Sequence, residues 1–284
     1  MKNIIFLTQN KTPRSGMLIK ELQKIIKRHP LLYLTRFRLL SQNSSIDEIA
    51  GLYYNQWNKK KHIPGYFYEI NQRIFAEGLP ENDMDKVLKI SIWLKEHIKG
   101  GRGLSEPSEK ALKTMLSGKG GVCSDMAQVF NNFCVINDIK VREWGTTTIP
   151  FDRLHGGHAF NEVYIKELDK WLLIDVYWGL MFHRSDDDFP LSVIELYTLK
   201  RNNGLYHYKS YLHQEVDASI LERNYLNTSI APFLIYNYKN KVYDTFLEYT
   251  RPLVPIFVIH FFVYLIGQNY RYKFPLDDYK QLFA

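Results

Sequence analysis

A thiol at Cys123, an imidazole at His158 and a carboxylate at Asp175 follow one another between Gly118 and Val176. Cys123 comes directly after Gly-Lys-Gly-Gly-Val, where a glycine-rich loop turns into an apolar run with helical character. His158 opens His-Ala-Phe-Asn-Glu-Val-Tyr-Ile, and Asp175 follows Trp-Leu-Leu-Ile; both runs read as strands. A nucleophilic cysteine site needs these three groups: a sulfur to attack, a base to take and return the proton, and a carboxylate to orient the base. The start of a helix, with free N–H groups and the positive end of the dipole, favours a thiolate. Glycines before it let a substrate backbone come close. The Cys123 N–H would face a developing oxyanion. Gly121, Val122, His155, Gly157, Tyr177 and Trp178 flank the three groups and are the candidates for touching substrate or oxyanion.

The neighbouring titratable groups have plainer explanations. His155 precedes the glycine pair and reads as a loop residue on the substrate side, so His158 is the better base. Asp125 and Glu162 could act as acids, but solvation or sheet pairing explains them equally well. His183 reads as a surface histidine at the rim. Tyr177 and Trp178 suit an acyl pocket or simple core packing. The second thiol, Cys134, sits among Phe and Ile on the same helix and reads as core. Eleven residues of helix separate the two sulfurs by about 16 Å, so they neither bridge nor share a metal, which removes a zinc site. No metal and no cofactor is expected.

The 284 residues are 45% apolar and suffice for a large core. Two cysteines exclude a disulfide framework and favour a reducing compartment. The first ten residues read as a strand rather than a signal peptide, so a cytoplasmic protein is expected. A formal charge of +7 spread along the chain argues for solvated faces and against specific nucleic-acid binding. The most apolar run, 253–267, spans only about 22 Å as a helix, too short for a membrane span and suited to a buried or interfacial helix.

Around the three groups the periodicity predicts helices at 18–28, 45–57, 82–98, 105–116, 123–137 and 191–199. Residues 31–40 could be strand or helix. Strands are predicted at 140–148, 158–165 and 170–177, the last two as a hairpin. Helices first and antiparallel strands after them argue for an α+β fold. Residues 1–80 read as a mostly helical N-terminal extension, 81–185 as the core, and 186–284 as a C-terminal extension packed on it.

These residues resemble the transglutaminase-like superfamily of papain-like fold, bacterial type. Its Gly-x-Cys-x-x-x-Ala segment is matched by Gly121 to Ala127. Its His-Ala-aromatic-x-Glu-Val-Tyr strand is matched by His158 to Tyr164, and its Trp-x-x-x-Asp strand by Trp171 to Asp175. The resemblance covers about 85–180. It implies a Cys-bearing helix packed on an antiparallel sheet that holds His and Asp, and a thioester formed from an amide or related acyl donor. Water or an amine then accepts the acyl group. It further implies a peptide, an amine, or a carboxylate-bearing sugar or metabolite as partner. Calcium is not implied, because no calcium-loop pattern is present. A second oxyanion donor is not carried over; Trp93 and Gln128 are candidates by type alone. Two other readings stand beside it. One is an acetyl-CoA-type N-acyltransferase with the same triad. The other is a catalytically silent binding module for peptide or sugar, against which the intact triad argues.

One expectation conflicts with the triad. A tight hairpin around 167–169 would place Asp175 opposite Asn161 or Glu162, three to four residues from His158. At about 3.3 Å per residue that is too far for contact without a bulge, a wider turn or diverging strands.

Overall fold

A computed structural model describes residues 30–152, 155, 157–212, 215–251 and 253–284. The strand expected at the start of the chain and the helix expected at 18–28 lie outside them. The chain divides into two compact units, Met1–Leu39 and Leu40–Ala284. The ambiguous stretch at 31–40 is helical, as α1 (Pro30–Leu40).

The elements that follow are β1 (Ser41–Asn43), α2 (Ile46–Ala50), α3 (Gly65–Ile74), α4 (Asp83–His97), α5 (Ser108–Leu116) and α6 (Cys123–Ile136). Then come β2 (Val141–Thr148), β3 (His158–Ile165), β4 (Lys170–Ile174), β5 (Leu180–Arg184), α7 (Val193–Arg201), β6 (Tyr206–Ser210) and α8 (Ala218–Leu221). A π-helical turn, Glu222–Leu226, leads to β7 (Ile230–Tyr236), α9 (Asn240–Thr250), α10 (Ile256–Leu265) and β8 (Arg271–Phe274).

Two predicted helices are shorter than their periodicity suggests. The one expected at 45–57 stops at Gly51 and continues as a 3₁₀ turn, Tyr54–Gln56. The carbonyls that would extend it are taken by one guanidinium: Arg142 donates to Ile49 O at 2.7 Å, Ala50 O at 2.6 Å and Leu52 O at 2.7 Å. The helix expected from 105 begins at Ser108, because Pro107 holds an extended ψ of 146°. Its start is capped from far along the chain: Asp244, on α9, accepts from the Ser108 N–H at 2.7 Å and from its hydroxyl. By contrast α4 follows the sequence closely. Asn82 caps it by accepting from the Asp85 N–H at 2.7 Å, and Val87, Ile90 and Leu94 form its buried stripe. Burial contributes about 1.5–3 kcal/mol for each such side chain.

Six strands form the main sheet in the order β1-β8-β7-β2-β3-β4, antiparallel except where β1 meets β8. The C-terminal hundred residues therefore supply two strands of the central sheet, in addition to packing on it. β7 escapes a sequence reading because Pro232 lies inside it. The proline is tolerated because β8 pairs only with Leu234, Ile235 and Tyr236, leaving the other edge of β7 open at Pro232. Opposite Phe233 stands Gly145, where a Cβ would come within 2.5 Å of the phenylalanine ring.

Each face of the sheet carries its own core. On one face α6 lays Met126, Phe130 and Phe133 against Val141, Val163, Leu172 and Ile174, with α3 and α4 outside it. On the other, Trp144, Phe160 and Leu173 meet Phe182, Leu196, Tyr197 and Tyr225. Almost every residue of α6 from Met126 onward is buried, as its composition predicts. The fold is α+β, with the cysteine at the first residue of the central helix. Within the apolar run at 253–267, expected as a buried or interfacial helix, α10 buries Ile259 and Val263 and leaves Phe257, Phe261, Phe262 and Leu265 exposed. Among the described residues no helix is long and apolar enough to cross a membrane.

Candidate active site

The start of α6 is fixed by its own third residue. Asp125 reaches back and accepts from the Val122 N–H at 2.9 Å and the Leu104 N–H at 3.2 Å. Burial pushes its carboxyl up, while these two bonds pull it down. Asp125 is therefore a cap that ties the Leu104 loop to the helix start. Gly121, at φ 107°, donates its N–H to Arg102 O at 2.9 Å, and a Cβ there would strike Met115 at 2.9 Å. The backbone donors of Gly121 and Val122 are thus consumed, which removes both from the oxyanion candidates. Among the described residues no acceptor holds the Cys123 N–H, which leaves it as the donor at the sulfur.

His158 opens β3 and donates its backbone N–H to Thr146 Oγ1 at 3.2 Å. Gly157 before it turns the chain at φ 71°, so close under Thr146 O that a Cβ would lie 2.9 Å from it. The ring of His158 places Nε2 2.7 Å from Asp175 Oδ2, and Cys123 is near enough to the same ring to raise its pKa. Since Nε2 is engaged by the carboxylate, Nδ1 is the nitrogen left for sulfur. Asp175 is fully buried and His158 is 6% exposed, whereas Cys123 is only half-buried. Burial pushes the His158 pKa down. The Asp175 charge, the Asp175 hydrogen bond and the Cys123 contact outweigh it and lift the pKa to about 10. An imidazolium at neutral pH beside the sulfur is the electrostatic condition for a thiolate.

The strand register resolves the conflict over Asp175. β3 and β4 pair Asn161 with Ile174, so the next residue along falls beside Phe160, two residues from His158 and on its face. Such diagonal neighbours are about 7–8 Å apart, within reach of two side chains. The offset is shorter than the expected three to four residues. The strands also diverge there: Asp175 leaves β4, pairs with Leu180 and starts a turn that returns at Gly179. Within that turn Asp175 Oδ1 accepts from the N–H groups of Tyr177 at 2.8 Å and Trp178 at 3.0 Å.

Tyr177 and Trp178 touch edge-on at 5.0 Å but meet different neighbours. The Tyr177 ring stands edge-on to His158 at 6.5 Å and is near enough to feel a charge on Cys123. Trp178 packs into the core on the far face. Lys95 spans the pair from α4, donating to Tyr177 O at 2.7 Å. His155 donates its N–H to Asp152 O at 3.2 Å, and burial holds its pKa down. Trp93 stacks on His97 at 4.0 Å along α4, and Gln128 bonds Glu143 at 3.4 Å. Glu162 is also accounted for, holding Arg142, Trp144 Nε1 and the Val193 N–H.

Three groups at the site were not legible in the sequence. Tyr225 donates its hydroxyl to Asp175 Oδ2, and Tyr211 donates to Asp175 O at 3.1 Å. Both fall in the Tyr-rich 205–250 stretch, which carries no pattern. Glu143, on β2, is the third: burial raises its pKa to about 8 against hydrogen bonds from Gln128 and Asn131. A cleft of about 790 Å³ lies elsewhere, between residues 61–64, 106–113 and 241–251. Among the described residues no cluster of three or more His, Cys, Asp or Glu could hold a metal ion.

Residues 69–176 match the family model of the transglutaminase-like superfamily. Among solved structures, a candidate cysteine protease from Cytophaga hutchinsonii is 18% identical, with 67% of this chain and 52% of that one covered and a TM-score of 0.33. The chain thus spans about half the length of that protein. No curated protein matches the sequence. The matched segment carries Cys123, His158 and Asp175, and it begins within α3, somewhat before the segment expected from the motifs.

Proposed function

We propose that the protein is a transglutaminase-like cysteine enzyme that takes an acyl group from an amide or related donor onto Cys123. The observation that carries this reading is the His158 ring, held by Asp175 at 2.7 Å and close enough to Cys123, at the first residue of a buried helix, for its charge to act on the ring. The thiolate attacks the carbonyl carbon, and the displaced electron pair moves to oxygen, where the Cys123 N–H faces it. Collapse of the intermediate expels the amine, which takes its proton from His158 Nδ1. His158, now neutral, removes a proton from water or an acceptor amine. That nucleophile attacks the thioester and returns the sulfur as thiolate. Asp175 keeps the Nε2 proton in place throughout, so Nδ1 always faces the reaction. Peptides, amines and carboxylate-bearing sugars or metabolites are the substrate classes proposed.

The test begins with the thiols. Iodoacetamide at pH 7 should alkylate Cys123 well ahead of Cys134, whose thiol is buried and pushed well up by that burial. His158→Asn should slow the Cys123 reaction. Equal labelling of the two, or no effect of His158→Asn, removes the enzymatic reading. Acyl donors then divide the chemistry: release of ammonia or amine from a peptide amide supports the reading. Turnover of an acyl-CoA thioester in its place would favour an N-acyltransferase.

A further inference from the structure

Asp175 is a buried carboxylate with four donors on its two oxygens. Oδ1 takes the N–H groups of Tyr177 and Trp178; Oδ2 takes His158 Nε2 and the Tyr225 hydroxyl. Three of these come from residues in or just beside the matched core. The fourth, Tyr225, lies 50 residues on, in the π-helical turn Glu222–Leu226, well beyond the matched segment. It is held there by packing. Its ring meets Phe160 at 5.4 Å and Phe182 at 4.9 Å and stands at 79° to the His158 ring, 5.6 Å away.

Taking the Cys123–His158–Asp175 reading as its basis, we infer that Tyr225 is a positioning residue, supplied to the triad by the C-terminal segment. Two consequences follow from its sharing one oxygen with His158. With Oδ1 pinned by the turn, the hydroxyl fixes the rotation of the carboxylate, so that a lone pair of Oδ2 stays on Nε2. It also draws charge from that oxygen, which weakens the carboxylate's hold on the His158 proton. An imidazolium bound less tightly is the better acid toward a leaving amine. The matched core alone does not complete its own carboxylate.

The test is Tyr225→Phe, which removes one oxygen and keeps the ring. Tyr197→Phe is the control: Tyr197 shares the same far-face core, and its buried hydroxyl has no partner among the described residues. The His158 ring is titrated by NMR in a Cys123→Ala background, which takes away the sulfur's own pull, and Cys123 alkylation is followed against pH in the cysteine-bearing protein. Tyr225→Phe should raise the His158 pKa by about 0.5–1 unit, the worth of one neutral hydrogen bond. It should also shift the alkylation profile, while Tyr197→Phe changes neither. Titration curves of Tyr225→Phe and wild type that superimpose would overturn the inference, whatever the variant does to thermal stability. A wild-type Cys123 indifferent to His158→Asn would bring down the triad reading as well, so the two failures are told apart.

Discussion

Asp175→Asn isolates the orienting group with almost no change in shape. The turn decides how the new amide sits. The N–H groups of Tyr177 and Trp178 demand an acceptor at Oδ1, so the carbonyl oxygen stays there and the NH₂ replaces Oδ2. That NH₂ now faces His158 Nε2, which must become an acceptor, and the ring proton moves to Nδ1. A neutral ring with its proton toward the sulfur cannot take the thiol proton. Removing the carboxylate also leaves burial as the dominant influence on His158, so its pKa should fall from about 10 to below the ordinary 6.5. With no imidazolium beside it, the Cys123 sulfur loses the positive charge that favours a thiolate, so alkylation at pH 6 should drop on the order of 100-fold. Turnover should fall on the order of 10⁴-fold, the cost of trapping the wrong tautomer in such a triad, or about 5.4 kcal/mol. Alkylation rates by iodoacetamide between pH 5 and 9 give the readout. A variant that folds and keeps the wild-type rate at pH 6 would refute the reasoning, because the carboxylate would then not be what holds His158 charged.

Two further predictions concern charges buried around the site. Glu143 has its pKa raised to about 8 by burial, so the folded state favours the neutral acid. Its contribution is complete below about 4.5 and is lost as pH rises through 8. Glu143→Gln cannot ionise, so its thermal midpoint relative to wild type should climb between pH 6 and 9; a constant difference would show Glu143 charged throughout. Glu162 is buried at 1% exposure against Arg142, with a 3.1 Å ion pair. Glu162→Ala leaves that guanidinium without its counter-charge and should cost about 3–5 kcal/mol in urea unfolding. A loss under 1 kcal/mol would mean that the three carbonyls on Arg142 suffice.

Local pattern carried the site's frame. Helix α6 and strands β3 and β4 were readable because α6 is apolar almost all round, while Gly157 and Asp169 bracket β3 with left-handed turns. The register did not follow from the hairpin alone, since Lys166–Leu168 forms a 3₁₀ turn that shifts the pairing relative to a tight turn. What sequence could not supply is long-range. Asp244 capping α5 from 136 residues away, Arg142 ending α2 from 92, and Tyr225 reaching Asp175 from 50 leave no periodic trace. Nor does a donor-rich environment: that the Gly121 and Val122 N–H groups are already spent is visible only once Arg102 and Asp125 are placed.

The way the charges are buried bears on what the site can do. A lone carboxylate in this core would be driven to protonate, because burial penalises the ion far more than the acid. Asp175 instead meets four donors, and its negative charge then holds a second buried charge on His158. Each step depends on the one before it: donors fix the carboxylate, the carboxylate fixes the imidazolium, and the imidazolium favours the thiolate. Of the three groups, the last in the line, Cys123, is the most exposed. The arrangement therefore separates two tasks. Charge is set by Asp175 and His158 in the interior, insulated from whatever binds. In the proposed reaction, selection of the acyl donor falls to the surface around the sulfur, where the Arg102–Leu104 loop and Tyr177 stand. Substitutions in that loop should change which acyl donor reacts while leaving the pH dependence of Cys123 alkylation where Asp175 and His158 put it.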